Sequence, residues 1–327
     1  IESIFNKQKT ESSKLRRAGL GVRKEKLKKL RSWLLENSDK IRNAIYADFG
    51  KPHAETDACE IFPVLSELNQ TLSNLEDWAA VKKVDTPLTL LGSSGEIRME
   101  PRGVCLIMAP WNYPFNLCIG PLVPCIAAGN TAIIKPSEIT PHTSALVKEL
   151  VETIFKPEEV AVFEGGPEVA QSLLRKSFDH IFFTGSPAVG KVVMHAAAEV
   201  HAAVTLELGG KSPAIIHKDA HVGDAAKRIA FGKFLNNGQT CIAPDYLLVH
   251  EDIYAEFIGR LKQETLSLFG DGSSVPTNAS SYGRISSLRH FRKMKGLMES
   301  ALRDGWNVIL DGPMDEATRF FHPVILF

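Results

Sequence analysis

From Glu2 to about Lys83, apolar positions such as Leu30, Leu34, Ile41 and Ile45, then Ile61, Leu65, Leu68, Leu72 and Leu75, recur mostly at steps of three and four. That period puts them on one helix face, so the segment predicts a helical layer. Two short extended runs follow, 88–91 and 96–100, split by Gly92-Ser93-Ser94-Gly95; this predicts a β-hairpin within about 84–102. From Gly103 the pattern changes to short apolar runs (104–108, 131–135, 160–163, 180–183) alternating with helical stretches (115–128, 141–155, 168–175, 187–199). Such alternation predicts a parallel sheet with helical crossovers, whose ligands bind at the carboxyl ends of its strands. A second α/β stretch fills the rest, with apolar runs at 214–216, 246–250 and 308–310.

Length sets the domain number. At 327 residues, 44% hydrophobic and 23% charged, the chain can build two sizeable cores. The expected crossing point is Gly209-Gly210, giving domains 1–208 and 209–327. The 38 Lys and Arg residues balance the 38 Asp and Glu residues, so no net field favours nucleic acid or an anionic membrane. The basic run from Lys14 to Lys29 alternates with Leu15, Leu20, Val22, Leu27 and Leu30, and reads as a solvated helix face before it reads as a recognition patch. Cys59, Cys105, Cys118, Cys125 and Cys241 form an odd set without a C-x-x-C pair, which predicts neither a disulfide framework nor a metal site, and a reducing, cytoplasmic setting. No apolar run approaches the roughly eighteen residues of a membrane span.

Five segments carry candidate chemistry. Gly185-Ser-Pro-Ala-Val-Gly190-Lys191 follows an apolar run and opens a helix, so its N–H groups suit a phosphate. Val192 stands where a Walker loop needs Ser or Thr, which leaves a plain strand-to-helix turn as the alternative. Cys241, in Asn236-Asn-Gly-Gln-Thr-Cys-Ile-Ala-Pro-Asp245, lies between Gly238 and Pro244 on a shaped loop; Cys105, Cys118 and Cys125 sit inside apolar runs. Glu207 is a carboxylate within an apolar strand ahead of Gly209-Gly210, and reads either as a desolvated general base or as a partner of Lys211. Asn112, in Pro110-Trp-Asn-Tyr-Pro114, is an amide at a strand's carboxyl end, serving an oxyanion or capping the next helix. Lys135-Pro-Ser-Glu138 suits ribose hydroxyls, or forms an ion pair.

Taken together and in this order, the five segments resemble the aldehyde dehydrogenase superfamily over essentially the whole chain, and 237–246 is similar to its class 3 and fatty-aldehyde branch. The resemblance implies a Rossmann-like parallel-sheet domain for NAD or NADP over 1–208, without the usual glycine fingerprint, an α/β catalytic domain over 209–327, and the hairpin as an oligomerisation element in a homodimer. It implies Cys241 as nucleophile, Glu207 as general base and Asn112 as oxyanion amide. Lys135 and Glu138 match the adenosine-ribose contacts. Gly185, Ser186, Pro187, Ala188, Val189 and Gly190 match the stretch beside the dinucleotide phosphates. Trp111 and Leu208 fall among the implied cofactor contacts, and Tyr113 in the substrate pocket. The implied reaction oxidises an aldehyde to a carboxylic acid through a cysteine thiohemiacetal and thioester. The family's Glu-Ile-Phe-Gly-Pro segment does not occur before Phe327, so a catalytically silent fragment or binding module is the alternative expectation; acyl transfer to coenzyme A is disfavoured by Glu207.

Overall fold

The three- and four-residue spacing becomes helix in the computed structural model, which describes all 327 residues. The helices are α1 (Glu2–Leu15), α2 (Leu20–Glu36), α3 (Ser38–Phe49), the single turn α4 (His53–Thr56) and α5 (Phe62–Ala79). A π-helical turn, Asp57–Ile61, separates α4 from α5. The apolar stripes are buried as their period requires, with Leu27, Leu30 and Leu34 of α2 and Val64 and Leu68 of α5 wholly inaccessible.

The chain divides into two compact units. One comprises Ile1–Ile41, Ala58–Glu138 and Thr143–Glu207; the other comprises Arg42–Asp57, Ile139–His142 and Leu208–Phe327. Two short pieces from within the first 208 residues therefore belong to the second unit.

The hairpin is present, but its strands are not those the sequence suggests. β1 (Lys82–Val84) pairs antiparallel with β2 (Gly95–Ile97), while Leu88–Leu90 forms a 3-10 turn inside the loop. Pro87 precedes that turn, and its fixed φ and missing N–H favour a tight turn over a ladder.

In the first unit the chain continues through β3 (Val104–Met108), α6 (Asn116–Ala128), β4 (Thr131–Lys135), α7 (Pro141–Ile154), β5 (Val160–Val162), α8 (Pro167–Leu174), β6 (His180–Gly185), α9 (Pro187–Glu199) and β7 (Ala203–Leu208). The strands form one five-stranded sheet in the order β5-β4-β3-β6-β7. β3 pairs in parallel with β4, Val104 opposite Thr131, and with β6, Cys105 opposite His180. Every residue of β3 and β4 is buried, which is why both strands read as unbroken apolar runs. Helix α6 packs on β3 and β4, and α2 and α5 pack on α6. On α1, the buried Gln8 side chain donates to the carbonyls of Ala132 and Pro157 at 2.9 and 3.0 Å. Much of the basic run is taken up by ion pairs, including Lys24 with Glu76 and Lys26 with Glu159.

The second unit contains β8 (Ser212–Ile216), α10 (Val222–Phe234), β9 (Pro244–Val249), α11 (Tyr254–Phe269), α12 (Leu288–Arg303), β10 (Val308–Leu310), β11 (Met314–Asp315), β12 (Phe320–Phe321) and β13 (Ile325–Leu326). β8 and β9 are parallel, and α10 packs against α11. Ile216, Ala226, Ala230, Phe257 and Leu261 form one core. A second core gathers Phe234, Phe269, Tyr282 and Phe320, whose rings meet edge-on or tilted. No helix is long and apolar enough to cross a membrane.

Candidate active site

Sheet order locates the cleft of the first unit. From β3 the chain adds β4 and β5 on one side, then returns to add β6 and β7 on the other, so the order reverses between β3 and β6. Loops leaving the carboxyl ends of strands at such a reversal diverge and leave a crevice for a ligand.

The loop after β3 carries Trp111, Asn112 and Tyr113, all half-buried. Its far end is held at the start of α6, where Oε2 of Glu60 accepts the N–H groups of Phe115 and Asn116 at 3.1 and 2.9 Å. The Asn116 side chain donates to the Cys59 carbonyl at 3.0 Å. A wholly buried carboxylate at this place satisfies two amides that the helix cannot pair and meets the positive end of its dipole.

At the end of β4, Lys135 is buried, and its Nζ lies 2.9 Å from Oε2 of the exposed Glu138. The turn between them is fastened to α7 by the Ser144 hydroxyl, which donates to the Ser137 carbonyl at 2.8 Å.

The loop after β6 is narrow. A Cβ on Gly185 would come within 2.4 Å of the Phe183 ring, so only glycine fits without a shift. Ser186 caps α9 by accepting the Val189 N–H, Ser186 to Val189 are exposed, and Gly190 is buried. Just before the loop, the Thr184 hydroxyl is buried without a hydrogen-bond partner. An open helix N-terminus after β6 and a lysine–glutamate pair after β4, on the strands that flank β3, fit the phosphates and ribose of a dinucleotide.

Glu207 departs from expectation. It stands at the end of β7, the sheet's last strand, and is exposed rather than buried among its apolar neighbours. Those neighbours lie on a strand that is itself only half covered. Its candidate partner Lys211 is engaged by Asp245 at 3.0 Å.

Cys241 belongs to the second unit and is the one exposed cysteine; Cys105, Cys118 and Cys125 are buried and Cys59 is half-buried. Burial drives the Cys118 thiol far from ionisation, and the Cys125 thiol is held up by its hydrogen bond with Cys105 and by burial. The loop before Cys241 is unusual: Asn236, Asn237 and Gly238 are all left-handed, with φ of 56°, 53° and 72°. Asparagine and glycine are the residues that tolerate this conformation. The loop is fastened at several points. Gln239 donates to the carbonyls of Asn236 and Arg284 at 3.0 and 2.9 Å and accepts the Ser286 N–H at 2.9 Å. Glu55 accepts the Asn236 N–H at 2.9 Å. A Cβ on Gly210 would lie 3.0 Å from the Cys241 carbonyl oxygen, so the glycine lets the two chains approach.

Glu55 and Glu60 are the residues that sequence reading missed. Glu55 follows Lys51 by four, the spacing of an exposed helix pair, yet both are buried. Glu60 did leave a signal, since it precedes Val64 and Leu68 at steps of four and so falls on their apolar stripe.

The reversed sheet order and its edge loops define an α/β protein of the dinucleotide-binding class. The profile of the aldehyde dehydrogenase family matches residues 1–327, and the chain belongs to that family. It is 42% identical over 325 residues to the 4,4'-diaponeurosporen-aldehyde dehydrogenase of Staphylococcus aureus (strain NCTC 8325 / PS 47), covering 99% of this chain and 68% of that protein. To aldehyde dehydrogenase family 3 member A2 of Macaca fascicularis it is 40% identical over 307 residues, or 94% of this chain and 62% of that one. The solved substrate-bound state of Staphylococcus aureus AldH matches with a TM-score of 0.93 at 41% identity, over 99% of this chain and 69% of that chain. The chain thus spans about two thirds of the length of these relatives, and family 3 members among them agree with the class 3-like resemblance. As a member of this family it is an enzyme that oxidises aldehydes with NAD or NADP.

Proposed function

We propose that Cys241 is the nucleophile, Glu207 the general base and Asn112 the oxyanion donor of this oxidation. The observation that carries the reading is the contrast among the cysteines: one is exposed, and it follows a left-handed turn fastened by hydrogen bonds from Gln239 and to Glu55. As thiolate, Cys241 attacks the aldehyde carbon, and the Asn112 amide donates to the alkoxide that forms. NAD or NADP, which Lys135, Glu138 and the loop from Gly185 to Gly190 would hold, would supply the hydride acceptor needed for Cys241 to pass from thiohemiacetal to thioester. Glu207 takes a proton from the water that hydrolyses the thioester, a task for which its exposure gives water access.

In this reading 1–208 is the cofactor domain and 209–327 the catalytic domain. Lys135 and Glu138 hold the adenosine ribose, Gly185 to Gly190 lie beside the pyrophosphate, and Trp111 and Leu208 border the cofactor. Half-buried Tyr113 lines the substrate pocket, which suits an aliphatic or aromatic aldehyde. The hairpin loop exposes Leu88 and Leu91, apolar surface that supports a homodimer, and five cysteines free of disulfides support a cytoplasmic setting.

The test follows reduced nicotinamide while hexanal or benzaldehyde is oxidised by the full chain. Cys241→Ala abolishing turnover supports the reading, and turnover that survives it removes Cys241 from the reaction.

A further inference from the structure

The reaction above leaves Glu55 without a task, although its position is demanding. It sits on the single turn α4, is 9% exposed, and presents Oε2 to the N–H of Asn236 at 2.9 Å. Asn236 is the first of three consecutive left-handed residues, and Cys241 follows it by five positions. Left-handed backbone is unfavourable for residues that carry a Cβ, and such turns persist where their surroundings hold them. Gln239 holds the carbonyl of Asn236, and the side chain of Asn237 is held by Gly283 and Tyr282. At the entry to the turn, Glu55 takes the backbone N–H.

We propose that Glu55 is a positioning residue for Cys241: by accepting the Asn236 N–H it sets the left-handed turn from which the thiol is presented. The proposal rests on the reading of Cys241 as nucleophile. Glu55 acts through its oxygen as an acceptor, a property that a glutamine at this position keeps and a methionine of similar volume lacks.

The experiment compares the full-length parent, Glu55→Gln, Glu55→Met and Cys241→Ala. Three quantities are measured: melting temperature, the rate of Cys241 alkylation by iodoacetamide resolved by peptide mass spectrometry, and kcat and KM with the nicotinamide cofactor and hexanal. In Glu55→Met, Cys241 alkylation and kcat each fall about tenfold, the effect of leaving one buried donor unpaired, while KM for the cofactor stays at the parental value. In Glu55→Gln both return to within about threefold of the parent. A folded Met variant with parental alkylation and kcat overturns the proposal, and so does a Gln variant as impaired as the Met variant. Should the Met variant not fold, the Gln variant decides, retention supporting the proposal and a fall overturning it. Activity persisting in Cys241→Ala would remove the nucleophile assignment instead, and the alkylation comparison would still report whether Glu55 holds the loop.

Discussion

The hydroxyl of Tyr282 donates to Oδ1 of Asn237 at 3.2 Å, and the Asn237 amide donates in turn to the carbonyl oxygen of Gly283 at 3.1 Å. The two residues thus tie the left-handed turn before Cys241 to the aromatic core of the second unit. Burial, assisted by the neighbouring Glu55, holds the Tyr282 phenol well above its ordinary range, so it remains a donor at any working pH. Tyr282→Phe removes the donor and leaves a buried amide oxygen unpaired, a change that typically costs about 1–3 kcal/mol. Urea unfolding should show a loss of that size, and kcat should fall with it because the turn loosens. Unchanged stability would show that the bond contributes nothing net.

The cysteine and glutamate assignments separate in time. Cys241→Ala is expected to give no reduced nicotinamide, whereas Glu207→Gln should give one rapid burst of it and then stall at the thioester. Stopped-flow absorbance on mixing with aldehyde distinguishes these outcomes. Equal steady rates for Glu207→Gln and the parent would release Glu207 from its role.

For Asn112→Ala the expectation is a fall of about 10²–10³ in kcat, the usual effect of losing one oxyanion donor, with cofactor binding retained. Fluorescence titration with NAD or NADP measures the second half of the claim. A variant with parental kcat would make Asn112 a structural residue of its loop.

Glu55 also predicts a pH dependence of stability. Its carboxyl is pushed up to about 7, chiefly by burial, with the Asn236 N–H and Lys51 opposing. Because the folded value exceeds the unfolded one, the stabilisation is complete below about pH 4.5 and disappears as pH rises through about 7. The gap corresponds to about 3 kcal/mol. His180, His290 and His322, held below their usual values mainly by burial, titrate with the opposite sign, so the measurable quantity is the difference between the parent and Glu55→Gln. Between pH 5 and 7.5 the parent should lose stability relative to the variant by an amount of that order. A parallel pair of stability curves would contradict the assignment.

Local chemistry in the sequence was enough for the strands of the parallel sheet and for telling the cysteines apart. β3 and β4 fall where their apolar runs lie because a strand buried on both faces has no polar position to interrupt it. Cys241 was separable from Cys105, Cys118 and Cys125 for the same reason, since three of the four sit in runs that must be buried. The partner of β2 could not be read in this way: a strand of three residues, Lys82–Val84, carries two lysines and no alternation. Tertiary structure decided the burial of charged residues whose neighbours in sequence mislead. Glu207 looked buried and is exposed, whereas Lys51 and Glu55, spaced like an exposed helix pair, are buried. Sequence neighbours report the covering of a residue only when the whole strand or helix face is covered. Glu55, which accepts the amide of a residue 181 positions away, is covered by chain that no local pattern can anticipate.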